Sequence, residues 1–225
     1  MHRRYFVTGT DTEVGKTVAT CQLLRAFAAH GLKAVAMKPV ASGCEWRDGV
    51  LYSEDVAAHA AAASVGAPLA WTSPYRFAPP IAPHIAAAEA GVQIDPAHLH
   101  ACADHLAGLA DIVLVEGAGG WYAPLTDTLS MADLAARLDC AVLLVVGMRL
   151  GCINHARLSM EAILSRGLPV AGWLANRIDP QMARYDENLA LLRRMLPAPL
   201  LAEIAHSSVA ERGSLPASAV LTLLP

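Results

Sequence analysis

A chain of 225 residues is long enough for one sizeable core, burying ~70% of the surface its unfolded form exposes. Hydrophobic residues make up 55% of it, yet no run reaches the ~18 consecutive apolar residues of a membrane-spanning helix. A formal charge of −3 without a Lys/Arg run argues against nucleic acid or an anionic membrane surface as partner. The basic start through Arg4 is followed by too short an apolar run for a signal peptide. Cys21, Cys44, Cys102, Cys140 and Cys152 are scattered and form no Cys-x-x-Cys pair, so neither a disulfide framework nor a zinc site is expected. A cytoplasmic protein acting on small molecules is expected.

Short apolar runs at residues 5–8, 34–37, 112–115, 141–146, 170–175 and 200–204 have the length of buried strands. Helical patterns lie between them at 15–29, 54–64, 96–109, 131–138, 153–166 and 182–196. Asp95 followed by Pro96 marks a helix start, a capping residue and then a proline at the first helical position. Strands alternating with helices predict an α/β fold, a mostly parallel central sheet with helices on both faces, as one domain over residues 1–225. The one long irregular segment, 71–84, is either a surface loop or a wall over a substrate pocket.

The first strand runs straight into Gly9-Thr10-Asp11-Thr12-Glu13-Val14-Gly15-Lys16-Thr17, and a helix follows. In that setting Glu13, Val14, Gly15 and Val18 surround a phosphate site built from backbone N–H groups and the helix N-terminus. Lys16 would reach the β- and γ-phosphates, and the Thr17 hydroxyl would ligate Mg2+. Five residues separate Gly9 from Gly15, one more than the strict P-loop pattern has. Lys38, after the second strand, would add a cation where the phosphoryl group transfers. Mg2+ is held by one or two carboxylates along with phosphates and water. Glu116, placed at the end of the strand 112–115 and followed by Gly117-Ala118-Gly119-Gly120, is one candidate, and Asp55 at a helix start is the other. His98, His100 and His105 lack the i, i+4 spacing of a helical metal site and read as a solvated face.

Four stretches carry a resemblance to the dethiobiotin synthetase family of P-loop NTPases: residues 5–17, Lys38-Pro39-Val40-Ala41-Ser42-Gly43, the run from Val115 to Trp121, and Gly151-Cys152-Ile153-Asn154-His155-Ala156. The resemblance implies that one amine of 7,8-diaminopelargonate takes up CO2 as a carbamate. The carbamate then attacks the γ-phosphate of ATP, and the second amine closes a ureido ring as phosphate leaves. It also implies that Lys16 and Lys38 stabilise the reacting anions, that Thr12 and Ser42 contact carbamate or substrate, and that Thr17, Asp55 and Glu116 hold Mg2+. Two anions approach only where cations offset their repulsion, which gives Lys38 a purpose. The substrate carboxylate needs a site away from the phosphates, and Gly151, Cys152, Ile153 and Asn154 offer the N–H groups of a helix start. In the family this element comes from the neighbouring subunit, which implies a homodimer with active sites at the subunit interface.

Asn176 stands where the family reads the nucleotide base, but Arg177 replaces a frequent acidic residue and Ala205-His206 follows Glu203-Ile204 in place of a proline and a bulky apolar residue. Base selectivity is therefore left open. Two rival readings share the fold. A partition-type switch ATPase usually carries an extra lysine early in the loop and a basic C-terminal helix, and neither is present here. A cobyrinate-type amide ligase needs a glutaminase region for which the chain has little room.

Overall fold

The structure, a computed structural model, describes residues 3–206 and 215–224. Met1 and His2 of the basic start, and residues 213, 214 and 225 of the C-terminal tail, lie outside them. Ten strands are present among the described residues: β1 (Arg3–Gly9), β2 (Ala34–Met37), β3 (Val40–Ala41), β4 (Glu45–Arg47), β5 (Val50–Tyr52), β6 (Tyr75–Arg76), β7 (Ile112–Gly120), β8 (Ala141–Gly147), β9 (Val170–Asn176) and β10 (Leu200–Ile204). The helices are α1 (Lys16–Ala29), α2 (Glu54–Ala62), α3 (Leu69–Thr72), α4 (Pro83–Glu89), α5 (Pro96–Ala107), α6 (Met131–Arg137), α7 (Cys152–Ser165) and α8 (Tyr185–Met195), with a 3-10 turn at Ala217–Leu223.

Six strands form one wholly parallel sheet in the order β10-β9-β8-β1-β7-β2. Their apolar runs carry hydrophobic side chains on both faces because both faces are covered. From β1, Tyr5 and Val7 enter the layer under α1, while Phe6 enters the layer under α5, α6 and α7. Ala34 and Ala36 of β2, Ile112 and Leu114 of β7, and Leu143 and Val145 of β8 join the first layer. Their neighbours Val35, Val113, Val115, Val142 and Leu144 join the second. This period of two across continuous apolar runs confirms the doubly covered parallel sheet.

Capping sets several helix starts. Asp95 accepts the Ala97 N–H at 2.8 Å, as expected from the Asp-Pro pair. Ser130 and Asp133 form a capping box at the start of α6.

The structure corrects two sequence expectations. Glu116 does not end its strand: β7 continues to Gly120, so Glu116 lies within the sheet, opposite Val7, and is fully buried. The glycines permit this, because a Cβ on Gly117 would stand 2.9 Å from the Phe6 ring. Between Val7 and Gly9 the register slips, β7 advancing from Glu116 to Gly120, and this bulge carries its end toward the loop after β1. Segment 71–84 is not irregular throughout. It includes the end of α3, the strand β6 paired with β3, and the start of α4.

Candidate functional site

Strand β1 lies inside the sheet, and the chain leaves it for β2 on one side and, later, β8 on the other. The carboxyl edge at such a reversal forms a crevice for ligands. A cavity of about 860 Å³ opens there, lined by Thr12, Glu13, Gly15, Lys16, Thr17 and Val18 from the first loop and by Lys38, Ser42, Asp55, Glu116, Ala118 and Gly119. Pro80, Ile81, Ala82 and Pro83 complete one wall, so the proline-rich segment does face the pocket.

The loop from Gly9 to Thr17 is shaped by left-handed backbone at Glu13 (φ +59°) and Gly15 (φ +83°). Gly15 is the N-cap of α1 with no side-chain cap, so the helix turns free N–H groups toward the cavity. Contacts on its far side fix the loop. The Thr10 N–H donates to Val145 O at 3.0 Å, Asn176 Nδ2 donates to Val14 O at 2.8 Å, and Arg149 Nη2 pairs with Asp11 Oδ2 at 2.6 Å. Val14 itself points into the core, and only its carbonyl serves the loop. A Cβ on Gly15 would stand 2.0 Å from Asn176 Nδ2. Gly15→Ala therefore forces a left-handed alanine against a buried amide, a strain of about 1–3 kcal/mol. Calorimetry should show both a lower melting temperature and a nucleotide affinity reduced at least tenfold, equivalent to about 1.4 kcal/mol.

A chain of charges runs across the cavity floor. Lys38 Nζ donates to Glu116 Oε1 at 2.6 Å and to Asp55 Oδ2 at 2.7 Å, while the Thr17 hydroxyl donates to the same Glu116 Oε1 at 2.8 Å. His59 Nε2 meets the other carboxylate oxygen, Glu116 Oε2, at 2.7 Å. Burial pushes the Lys38 ammonium down, but Glu116 and Asp55 outweigh it and hold its pKa above the lysine range. Burial pushes Glu116 up, but Lys38 and then His59 outweigh it and hold the carboxyl well below its usual range. Both groups are therefore charged at neutral pH.

Lys16 differs. Its Nζ donates to the Asp11 carbonyl at 3.0 Å, and burial followed by repulsion from Lys38 lowers its pKa from 10.5 to about 8. Phosphates beside it would favour the charged form. Triphosphate binding should therefore take up a proton at pH 8–9, and affinity should fall as pH rises through that window. Calorimetry in buffers of different ionisation enthalpy measures that uptake directly.

The other sequence-predicted residues lie in four different places. Ser42 lies in the cavity, with its hydroxyl buried and without a hydrogen-bond partner among the described residues. Gly117 is packed behind the cavity against Phe6. Arg177 lines a separate cavity of about 440 Å³ with Tyr185, Glu203, Ile204, Ala205 and His206, its guanidinium 4.8 Å from the Tyr185 ring centre. Asn176 lines neither cavity and is buried behind the loop.

A family model described as an AAA domain matches residues 3–212. The chain is 52% identical to an ATP-dependent dethiobiotin synthetase of Aromatoleum aromaticum over 96% of each chain. It is 51% identical to one from Salmonella typhimurium over 91% of this chain and 90% of that protein. The chain belongs to the ATP-dependent dethiobiotin synthetase family. A chain of the MinC:MinD cell division protein complex of Aquifex aeolicus aligns with a TM-score of 0.56 at 15% identity, covering 95% of this chain and 86% of that one. That likeness extends to the fold alone.

Within this dethiobiotin synthetase fold, Gly151, Cys152, Ile153 and Asn154 do open a helix, with Gly151 left-handed at φ +94°. They do not line the phosphate cavity of their own chain. Cys152 is buried, and burial raises its thiol pKa, so the backbone is the part of it available to a ligand. Of the three histidines expected on a solvated face, His98 and His105 are exposed and lie against Tyr75 and Trp71, while His100 is half-buried and meets Asp104 at 3.1 Å. His59 and Arg149 were not foreseen. For His59 a signal was present: it follows Asp55 by four residues, one turn along the same face of α2.

Proposed function

We propose that this chain converts 7,8-diaminopelargonate, CO2 and ATP into dethiobiotin, ADP and phosphate, the ring-closing step of biotin biosynthesis. Residues 1–225 act as a single catalytic unit. One observation carries the reading: two lysines and two carboxylates converge in one cavity at the mouth of a P-loop. One substrate amine adds to CO2, losing a proton, to give a carbamate. A carbamate oxygen forms a bond to the γ-phosphorus of ATP and ADP leaves. The second amine then attacks the carbamoyl carbon, phosphate departs, and the nitrogen releases its proton. Lys16 and Lys38 hold the two anions at bonding distance, while Thr12 and Ser42 orient the carbamate. The free hydroxyl of Ser42 suits that work.

Thr17, Asp55 and Glu116 present hard oxygens in the same cavity, the donor set Mg2+ prefers. Among the described residues no group of three His, Cys, Asp or Glu forms a closed metal cage. Phosphate and water would complete the shell of such an ion. When bound, Mg2+ neutralises charge on the β- and γ-phosphates. Glu13, Gly15, Thr17 and Val18 surround the triphosphate, and Asn176 and Arg177 lie toward the base.

The enzyme acts as a homodimer. Gly151 to Asn154 do not line their own chain's phosphate cavity, and Leu150 beside them is 94% exposed. A partner's cavity would receive this helix start, with the substrate carboxylate bound to its N–H groups. The protein works in the cytoplasm, a compartment that suits five buried cysteines with no Cys-x-x-Cys pair among them.

The test is incubation of the purified protein with diaminopelargonate, bicarbonate, Mg2+ and ATP. Mass spectrometry should find the ring-closed product in step with ADP. Phosphate release indifferent to the diamine would overturn the proposal in favour of a switch ATPase.

A further inference from the structure

We infer that His59 is a positioning residue that holds the Glu116 carboxylate in the orientation its role at the metal and phosphates requires. The inference rests on the site reading above, in which Glu116 is a metal ligand.

The geometry supports it from three sides. Glu116 has two oxygens with about two acceptor positions each. Oε1 accepts from both Thr17 and Lys38, at 2.8 Å and 2.6 Å, whereas Oε2 accepts from His59, at 2.7 Å. Lys38 and Thr17 both have other work once substrates arrive, one on the reacting anions and one on the metal. His59 touches neither, so it is the partner that remains. An ionised carboxylate oxygen only accepts, so Nε2 is the protonated nitrogen of the ring.

The ring is also buried. Its side chain is 4% exposed, and behind it lies a cavity of about 120 Å³ whose walls include Val35, Ala36, Val56 and Val65. Without the imidazole, Oε2 would face that largely apolar space with no donor, and the carboxylate would turn to find one.

Finally, α2 carries both Asp55 and His59 one turn apart. One rigid helix, started by Ser53 with its hydroxyl on the Val56 N–H, therefore supplies one carboxylate directly and fixes the other through a hydrogen bond. The distance between the two carboxylates is set by a single element packed against the sheet.

Loss of a hydrogen-bond partner behind a metal ligand typically costs about 10–100-fold in metal affinity or activity. The test uses full-length protein with a non-hydrolysable ATP analogue, and Mn2+ binding is followed by electron paramagnetic resonance. His59→Leu should weaken Mn2+ by about 10–100-fold and lower kcat while leaving the diamine KM unchanged. His59→Gln, whose amide nitrogen occupies the place of Nε2, should recover most of both losses. A folded His59→Leu protein with wild-type Mn2+ affinity would overturn the inference, as would equal losses in the Leu and Gln variants. Should His59→Leu fail to fold, His59→Ala with added imidazole decides. Mn2+ affinity that rises with imidazole supports positioning, and affinity that ignores it refutes positioning. Mn2+ binding is read without product formation, so a protein that binds metal yet makes no dethiobiotin would sink the reaction assignment and leave His59 its role.

Discussion

Replacing Lys38 with Ala is expected to lower kcat by about 10²–10³-fold, the usual loss when one preorganised charge stabiliser is removed, while Mg2+-ATP affinity changes little. The reason is position. Lys38 does not belong to the loop that cradles the triphosphate. It reaches the same cavity from the end of β2, where Glu116 and Asp55 hold its ammonium. Its charge is most needed when the carbamate and the γ-phosphate are closest, so its removal acts on the transition state more than on the bound nucleotide. The variant also leaves Glu116 with only Thr17 and His59 as donors, so turnover should be measured well below its melting temperature. Comparable losses in nucleotide affinity and in kcat would show that Lys38 binds ATP in the ground state, and the assigned role would fall.

Glu116→Gln should abolish measurable turnover and lower stability by about 3–5 kcal/mol, the cost of leaving one partner of a buried ion pair unbalanced. Glu116 has no exposed surface and is the group on which Lys38, His59 and Thr17 converge. An amide of equal size keeps the shape. It offers one acceptor where the carboxylate offers two, and it places N–H groups against other donors. The pH dependence gives a second readout. The folded pKa of Glu116 is depressed below its ordinary value of 4.5, mainly by Lys38 and His59 against the opposing effect of burial. Its stabilisation is thus complete above pH 4.5 and is lost as pH falls through the folded value. Wild-type protein should lose stability steeply on the acid side of pH 4.5, and Glu116→Gln should show a flatter acid limb. Identical acid limbs in chemical denaturation would remove Glu116 from this account.

Periodicity alone located all six strands of the main sheet and six of the helices between them, with β2 and β10 at the residues expected, but not the short helices α3 and α4. Buried parallel strands are short apolar runs bounded by polar or glycine residues, and these signals are local. The small pieces β3, β4, β5 and β6 were not legible. Two- and three-residue strands have too little period to stand out; β3 and β6 also form only with a distant partner, Val40 with Tyr75, whereas β4 and β5 close a local hairpin. The glycines after Glu116 misled for a similar reason. They read as a strand end, but packing against Phe6 turns them into the continuation of β7.

By itself the sequence determined the phosphate loop, because a strand, a glycine turn, a lysine and a hydroxyl act through backbone geometry within a dozen residues. It also supplied Lys38, Asp55 and Glu116 as candidates. Only the tertiary structure decided that these three meet on one cavity floor, that Glu116 is buried, and that His59 stands behind it. Those contacts join residues 17 to 99 positions apart in the chain, and their protonation depends on a low-dielectric interior that exists only once β2, β7 and α2 have packed together.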